Sequence, residues 1–252
     1  MRWFGRVPQP TPQRVELRGD VALVTGAAVG IGRAIATRLA VEGAAVVVGD
    51  VDAAGGGETV RRIEASGGAA RFVRADLTDP ANVCALLDAA RAWHGTLGIL
   101  VNNAGGGGHI PPHFPDATPE QWGATLDLNL RAAMLATQLA LAAMDGRGAV
   151  VNVASSAGAE ETPYQSPEYA AAKAGLIRFT TALSRRDGVR VNCVVPGWIA
   201  TERAHEELAA MTESERAAAP DPVPMDVIAS AVVALIRDDG AAGRVIELRE
   251  GA

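Results

Sequence analysis

The sequence predicts an α/β protein with one doubly wound parallel sheet of about seven strands and helices on both faces. Short apolar segments alternate with segments of helical periodicity from residue 20 onwards. The apolar segments are nearly continuous runs of Val, Ile and Leu, which is typical of strands covered on both faces. No linker-like stretch interrupts residues 20–250, so we expect a single domain over residues 15–252.

The strands and helices follow from these patterns in chain order. Ile31, Ile35 and Leu39 repeat at helical spacing after the first strand, and Gly43 is a helix stop signal. Strands are predicted at 20–25, 44–49, 70–74, 98–102, 148–154, 189–195 and 245–248. Helices are predicted at 31–42, 58–66, 80–94, 119–144, 166–184 and 223–237.

Three irregular stretches complete the organisation. Residues 1–14 are expected to be a flexible arm, because Pro8, Pro10 and Pro12 block both helix and sheet hydrogen bonding. Stretches 105–118 and 198–222 each follow a predicted strand, at the edge where open α/β sheets bind ligands. We therefore expect both to be substrate loops.

Composition excludes several classes of protein. The chain has 252 residues, 48% of them hydrophobic, and a net charge of −6. This acidic balance argues against nucleic-acid binding, and no apolar run approaches the roughly 20 residues that a membrane span needs. Cys84 and Cys193 are too few and too isolated for a disulfide framework, which favours a cytoplasmic protein.

A glycine-rich turn follows the first strand. The sequence Thr25-Gly-Ala-Ala-Val-Gly-Ile-Gly32 lies between a predicted strand and an amphipathic helix. Glycines let backbone amides approach a phosphate, and the helix N-terminus that follows favours negative charge. This context predicts a dinucleotide site and hence a Rossmann-type fold.

Asp50 closes the second predicted strand and indicates which dinucleotide binds. A carboxylate at this position can accept hydrogen bonds from the two adenosine ribose hydroxyls and would repel a 2′-phosphate. Val29 and Val51 stand at nearby positions where an arginine could neutralise that phosphate. We therefore expect NAD(H) to be preferred over NADP(H). The alternative interpretation is that Asp50 only caps the next helix.

Tyr169 and Lys173 form the predicted catalytic pair. They are four residues apart on a predicted helix and so share one face. A free tyrosine, with a pKa near 10, is a poor base at pH 7, and a neighbouring ammonium lowers that pKa. Lys173 is the single lysine among 23 basic residues, which indicates a chemical need for an ammonium rather than a guanidinium.

The motif set as a whole resembles the classical short-chain dehydrogenase/reductase family over about residues 18–250. The chain carries TGxxxGxG at 25–32, NNAG at 102–105, YxxxK at 169–173 and a Pro-Gly turn at 196–197, in the family's order. The resemblance implies cofactor contacts at Gly26, Val29, Gly30, Ile31, Asp50, Asp76, Leu77, Asn103, Ala104, Gly105, Tyr169, Lys173, Pro196, Gly197, Ile199 and Thr201.

The same resemblance implies two further catalytic residues. Ser155, at the end of the fifth strand, would hydrogen-bond the substrate oxygen and the Tyr169 hydroxyl. Its neighbour Ser156 is the alternative, because successive strand residues face opposite ways and only one of the two can point into the site; the family register favours Ser155. Asn129, within a helix, would hold a water that links Lys173 to solvent; the alternative is an asparagine satisfied by backbone. No metal site is expected, because His109 and His113 have no carboxylate or cysteine at ligand spacing, and we expect them to line the substrate mouth.

Two departures from the family pattern affect the expected assembly and closure. The segment between Lys173 and Asn192 is about three residues shorter than usual in the family, in the region that helps to form the dimer interface of relatives. Relatives are homotetramers or homodimers, so the resemblance implies a homo-oligomer. The stretch after Thr201 is also short and could form a mobile lid.

Three functions remain open from the sequence. The first is NAD(H)-dependent interconversion of a secondary alcohol and a ketone, with a small-molecule substrate and no nucleic-acid or membrane partner. The second is NADPH-dependent reduction of 3-oxoacyl thioesters on an acyl carrier protein. The third is a non-catalytic dinucleotide-binding sensor, which the presence of both Tyr169 and Lys173 disfavours.

Overall fold

The computed structural model describes residues 17, 19–201, 204, 208–212, 214, 216, 219 and 221–249. The predicted arm at 1–14 lies outside the described residues, and the predicted loop at 198–222 lies only partly within them.

The described residues form one sheet of eight strands. In chain order they are β1 (Asp20–Thr25), β2 (Ala45–Asp50), β3 (Ala70–Arg74), β4 (Thr96–Asn102), β5 (Gly148–Val153), β6 (Arg185–Arg186), β7 (Val189–Pro196) and β8 (Val245–Leu248). Seven strands run parallel in the order β3-β2-β1-β4-β5-β7-β8, and the short β6 pairs antiparallel with β7. The predicted doubly wound α/β class is confirmed.

Within the described residues, seven α-helices outside the partly described stretch 198–222 cover the two faces. They are α1 (Gly30–Val41), α2 (Ala53–Ala65), α3 (Pro80–Arg91), α4 (Pro119–Leu126), α5 (Ala132–Ala143), α6 (Pro167–Leu183) and α7 (Met225–Arg237). Alternate strand residues point to opposite faces. Ala22 and Val24 belong to the cluster that packs under α1 and α7, whereas Val21 and Leu23 pack towards α3 and α5. This two-faced burial explains the nearly continuous apolar strand sequences.

The predicted helix at 119–144 is interrupted. Residues Asp127–Arg131 form a π-helical turn between α4 and α5. The side chain of Asn129 donates to the carbonyl of Thr125 at 2.9 Å, so it competes for the backbone acceptor one turn earlier. Wide turns of this kind are common at functional sites. The apolar periodicity of the sequence gives no sign of the interruption.

A second local prediction changes. Helix α2 begins at Ala53 rather than at residue 58, because Asp52 caps it there. The three glycines at 55–57 interrupt the apolar pattern, so the sequence does not reveal the first turn of this helix. The short connection before β7 is a tight reversal through β6, with positive φ angles at Ser184, Asp187 and Gly188. This reversal lies in the segment that is about three residues shorter than is usual in the family.

Candidate active site

The predicted site residues gather at one edge of the sheet. Gly26 follows β1, Asp50 ends β2, Asn103 follows β4, Ser155 follows β5 and Gly197 follows β7. These strands are parallel, so their carboxyl ends meet at the same edge. The neighbours β1 and β4 mark the point where the strand order reverses, which is where open α/β sheets bind their ligands.

The glycine-rich turn and the NNAG segment are bonded to each other. The Thr25 hydroxyl accepts from the backbone N–H groups of Asn103 and Ala104, each at 3.0 Å. The Asn103 amide donates to the carbonyls of Thr25 at 3.0 Å and Gly26 at 2.9 Å. A Cβ on Gly26 would lie 2.8 Å from the Cα of Ala104. These contacts fix the turn before any ligand arrives.

The outer side of this turn fits a dinucleotide phosphate. Gly30 has a φ of +56°, and a Cβ added there would meet no atom within 4 Å. Helix α1 starts at Gly30, and Val29, at its N-terminus, is 58% exposed and makes no side-chain cap. The first N–H groups of α1 are thus left for an external acceptor at the positive end of the helix.

We expect Gly32→Ala to destabilise the fold. A Cβ on Gly32 would lie 2.0 Å from the carbonyl oxygen of Gly26, which is backbone and cannot rotate away. The expected loss is about 2–3 kcal/mol of unfolding free energy, measured by urea denaturation. The control is Gly57→Ala, which lies inside α2 with open space around it and should gain about 0.5–1 kcal/mol. Equal stability of the two variants would contradict this packing argument.

The Asp50 carboxylate is held between the glycine-rich turn and the end of β2. One oxygen accepts from the N–H of Ala28 at 2.8 Å and the other from the N–H of Asp52 at 3.0 Å. Helix α2 is capped instead by Asp52, which accepts from Ala54 and Gly55. Asp50 is therefore not the cap of the next helix, and each of its oxygens keeps a lone pair for another donor.

Two arginines near this end of the site were missed by the sequence analysis. Arg33 donates to the hydroxyl of Thr59 at 3.0 Å and to the carbonyl of Ala28, which ties the glycine-rich turn to α2. Arg74 is exposed, and its Nε donates to the carbonyl of Val51 at 3.3 Å. Neither position belongs to a motif: Arg33 follows the glycine-rich turn on α1, and the pairing of β3 with β2 brings Arg74 beside the end of β2.

Asp76 and Leu77, which the resemblance implies as cofactor contacts, also lie at this end of the site. The carboxylate of Asp76 accepts from the Thr78 hydroxyl at 2.7 Å and from the Thr78 N–H at 3.0 Å. These hydrogen bonds, the hydroxyl first, hold the pKa of Asp76 below its usual value. Leu77 is buried beside it.

Tyr169 and Lys173 lie on one face of α6. The Lys173 Nζ is 5.6 Å from the centroid of the Tyr169 ring and donates to the carbonyl of Val153 at 3.1 Å. Lys173 is only 3% exposed, and this burial lowers its pKa from 10.5 to about 8. The ring of Tyr164 stacks on that of Tyr169 with centroids 6.1 Å apart. The cation predicted to assist Tyr169 is therefore buried within reach of its ring.

Ser155 lies at the start of a short turn that packs on the same helix. Its hydroxyl accepts from the N–H of Ala157 at 3.3 Å and caps the 3-10 helix Ser156–Gly158. A Cβ on Gly158 would lie 2.5 Å from the carbonyl carbon of Lys173. Only a glycine lets this turn approach so closely, and the approach brings the segment that carries Ser155 against the segment that carries Lys173.

The side chain of Asn129 binds the backbone of the loop after NNAG. Its Oδ1 accepts from the N–H of Gly106 at 2.9 Å, and its Nδ2 donates to the carbonyl of Gly106 at 2.9 Å. A Cβ on Gly105 would lie 2.6 Å from that Oδ1 and 2.9 Å from the Nζ of Lys173. The amide of Asn129 thus holds the glycine loop against Lys173. Backbone groups satisfy both ends of this amide, as expected in the alternative interpretation of Asn129.

The remaining predicted cofactor residues follow β7. Pro196 ends the strand, and the N–H of Gly197 donates to the carbonyl of Leu248 at 2.9 Å. Ile199 pairs with Val223 in an isolated bridge, and the Thr201 hydroxyl accepts from Ala204 at 3.2 Å.

The motifs and the geometry agree with the comparison against protein families. The short chain dehydrogenase family model matches residues 20–212. The chain belongs to this family. It is an oxidoreductase that acts on CH–OH groups, and the family binds NAD(P).

Known proteins are similar to this dehydrogenase in sequence or structure over most of its length. It is 42% identical over 187 residues to cis-4-hydroxycyclohexanecarboxylate dehydrogenase of Sinomonas cyclohexanicum, covering 72% of the chain and 74% of the relative. It is 38% identical over 242 residues to a protein named as a granaticin polyketide synthase ketoacyl reductase of Streptomyces violaceoruber, covering 92% and 95%. A crystal structure described as a short-chain dehydrogenase/reductase from Burkholderia xenovorans has a TM-score of 0.82 and 35% identity, covering 94% and 97%.

A buried network of side-chain amides and hydroxyls connects the strands and helices that lead to the site of this dehydrogenase. The Asn102 amide donates to Oδ1 of Asn152 at 2.8 Å and to the Thr137 hydroxyl at 3.0 Å. Asn152 donates in turn to the Thr180 hydroxyl at 2.8 Å. The network joins β4 and β5 to α5 and α6. Two asparagines inside apolar strands are the sequence signal that could have identified it.

The described part of the dehydrogenase contains neither a metal-binding cluster nor a membrane-spanning helix. Within those residues, no group of three or more His, Cys, Asp or Glu side chains is arranged to hold a metal ion. No described helix is both long enough and apolar enough to cross a bilayer.

Proposed function

We propose that this dehydrogenase is an NAD(H)-dependent oxidoreductase that interconverts a secondary alcohol and a ketone, with Tyr169 exchanging the proton at the substrate oxygen. The observation that carries the proposal is the buried Lys173 ammonium, 5.6 Å from the centroid of the Tyr169 ring at the ligand-binding edge of the sheet. The dinucleotide, when bound, would accept the hydride from the alcohol or donate it to the ketone.

The chain's own residues divide the remaining work. Tyr169 takes the hydroxyl proton in oxidation and returns it in reduction. The Lys173 ammonium stabilises the phenolate form of Tyr169, because an opposite charge nearby favours the charged state. Ser155 donates a hydrogen bond to the substrate oxygen and fixes its distance from Tyr169. Asn129 positions the wall of the site through Gly106, and a water near it would connect Lys173 to solvent.

The dinucleotide would lie along the carboxyl edge, from the glycine-rich turn to the residues after β7. Gly26, Val29, Gly30 and Ile31 would hold the pyrophosphate, because they form the cradle with open space around Gly30. We place the adenosine at Asp50, Asp76 and Leu77, and the nicotinamide half at Asn103, Ala104, Gly105, Tyr169, Lys173, Pro196, Gly197, Ile199 and Thr201.

The preference for NAD(H) rests on Asp50. Backbone N–H groups hold both of its oxygens in place, so the carboxylate is preorganised to accept from ribose hydroxyls. A 2′-phosphate there would meet a fixed negative charge. Arg33, the cation of the adjoining helix, is already engaged with Ala28 and Thr59.

We expect wild type to bind NADH more tightly than NADPH, and Asp50→Ala to weaken that preference by about tenfold or more, the size of one hydrogen bond to a charged group. The measurement is titration of protein fluorescence with each dinucleotide. Arg74→Ala is the matched control and should leave NADH affinity within about twofold, as expected for an exposed side chain. Tighter NADPH binding by wild type would contradict the assignment.

The second candidate is NADPH-dependent reduction of 3-oxoacyl thioesters. Two observations favour it: the named ketoacyl reductase is similar over 92% of the chain, and the exposed Arg74 guanidinium stands beside Val51, next to Asp50. This candidate requires Arg74→Ala to reduce NADPH affinity sharply while NADH affinity holds. The same titration therefore distinguishes the cofactor preferences of the two candidate functions. The sensor hypothesis is set aside, because the family and its named relatives are enzymes.

We propose an apolar or weakly polar secondary alcohol as substrate. Ile110, Phe114 and Tyr164 are 62%, 59% and 40% exposed, and they lie on the segments that meet at Tyr169. The test is a panel of cyclohexanol, 1-indanol, 3-hydroxybutyrate and cis-4-hydroxycyclohexanecarboxylate with NAD. Higher kcat/KM for cyclohexanol and 1-indanol supports the apolar mouth, and preference for either carboxylate substrate contradicts it.

We also propose a homodimer or homotetramer, a catalytic domain over residues 15–252, and substrate loops at 105–118 and 198–222. Sedimentation velocity tests the assembly.

A further inference from the structure

Glu168, the residue before Tyr169, is a buried carboxylate that binds the substrate loop. One of its oxygens lies 3.0 Å from Nδ1 of His113 and accepts from the Ser166 hydroxyl at 2.9 Å. The other accepts from the backbone N–H of Phe114 at 3.3 Å. The Glu168 side chain is 6% exposed and that of His113 is 15% exposed. Donors from two segments therefore converge on one carboxylate, which has little access to water.

Glu168 remains ionised in this setting. Burial disfavours its charged form, but hydrogen bonds from its own backbone N–H, His113, Ser166 and Phe114 outweigh burial and hold its pKa below the ordinary value. Glu168 also lies in the first turn of α6, where the positive end of the helix favours its charged form. A buried carboxylate that is charged and hydrogen-bonded at both oxygens holds its donors more strongly than a neutral acceptor.

The bonded loop reaches Tyr169 itself. A Cβ on Gly108 would lie 2.8 Å from the Tyr169 ring, so the loop backbone rests on the ring. Gln165 donates to the carbonyl of Gly108 at 3.2 Å. Between this contact and His113 the loop carries Ile110, and Phe114 follows directly, both exposed. The position of His113 thus determines where these two apolar side chains stand relative to Tyr169.

We propose that Glu168 and His113 are a positioning pair, which holds the loop 105–118 against Tyr169 and thereby determines the affinity for the alcohol. The inference rests on the function proposed above and adds two residues to it. Neither residue touches the reacting atoms: the pair acts through Phe114 and Ile110 on substrate binding and leaves the proton exchange to Tyr169.

The test compares His113→Ala, Glu168→Gln, the double variant and His113→Asn. Asn keeps an N–H donor where His113 has Nδ1 and should restore the bond. The first readout is hydrogen–deuterium exchange of the segment 105–118 without ligand, because the N–H of Phe114 is bonded to Glu168 and those of Asp116 and Ala117 to the His113 carbonyl. The second is KM and kcat for the panel alcohol with the highest kcat/KM. His94→Ala, an exposed histidine beside Trp93, is the matched control.

We expect exchange in 105–118 and KM each to rise about tenfold in His113→Ala and Glu168→Gln, the size of one hydrogen bond to a charged group. The double variant should show no further rise, and His113→Asn and His94→Ala should stay near wild type. Both kcat and NADH affinity should change less than about twofold, because no reacting group is altered.

Three results overturn the proposal: unchanged exchange in the loop, equal increases in every segment, or a fall in kcat at constant KM. If wild type oxidises no panel alcohol, the proposed function fails separately, because the exchange measurement needs no substrate and still decides whether the pair holds the loop.

Discussion

Tyr169→Phe is expected to reduce kcat for alcohol oxidation about a thousandfold, the scale of a lost general acid–base group. The substitution removes one oxygen and keeps the ring, which stacks on Tyr164 and lies against Gly108. The fold and the Lys173 contact should therefore survive. Stopped-flow measurement of NADH formation under saturating NAD and alcohol isolates this loss from any change in binding.

Tyr164→Phe is the matched control for this experiment. Tyr164 and Tyr169 are the two tyrosines of the chain, and their rings are stacked at 29° to each other. Only Tyr169 has a lysine one helical turn away on the same face. Tyr164→Phe should keep kcat within about threefold, because Tyr164 has no lysine at helical spacing to stabilise its phenolate. Equal losses in both variants would show that the ring stack, and not the Tyr169 hydroxyl, is what matters.

The sequence predicted the sheet and the edge that carries the site because both depend on local patterns. Strands β1, β3 and β8 begin and end at the predicted residues, because a short apolar run in the sequence marks the extent of a strand. The glycine-rich turn was identified because glycines at fixed spacing reflect a backbone requirement: Gly26 and Gly32 have no room for a Cβ. Patterns that record a local steric demand are visible without a structure.

The features that were missed depend on contacts between distant segments. Arg33 reaches Thr59, and Glu168 reaches His113 across 55 residues of chain. The π-helical turn at Asn129 arises where the asparagine amide binds Thr125 and Gly106. His113 was expected to line the open substrate mouth, yet it is largely buried against Glu168. The side chains that shape the wall around Tyr169 were thus the least predictable.

Lys173→Met is expected to remove activity and to raise stability at once. The variant loses the ammonium that stabilises the phenolate of Tyr169, so kcat should fall about a hundredfold or more. It also loses a charge that is almost wholly buried. The thiol of Cys193 offers no compensating negative charge near pH 7, because burial raises its pKa to about 12. The carbonyl of Val153 is the hydrogen-bond partner left behind.

The pH dependence gives the sign of the stability change. Burial lowers the Lys173 pKa from 10.5 to about 8, so below pH 8 the folded protein carries a cost for keeping the ammonium charged. Between about pH 8 and 10.5 the unfolded chain binds more protons than the folded one, and stability rises with pH across this window. The full cost at pH 7 is on the order of 3 kcal/mol.

Methionine of similar length removes this cost, so urea denaturation at pH 7 should show Lys173→Met to be more stable than wild type. The difference should shrink between about pH 8 and 10.5, where wild type loses the buried charge. A variant that is less stable than wild type at pH 7, or a difference that does not change with pH, would show that Lys173 is retained for packing. The expected result instead places the lysine where stability is given up for a charge that Tyr169 requires, a trade-off typical of active sites.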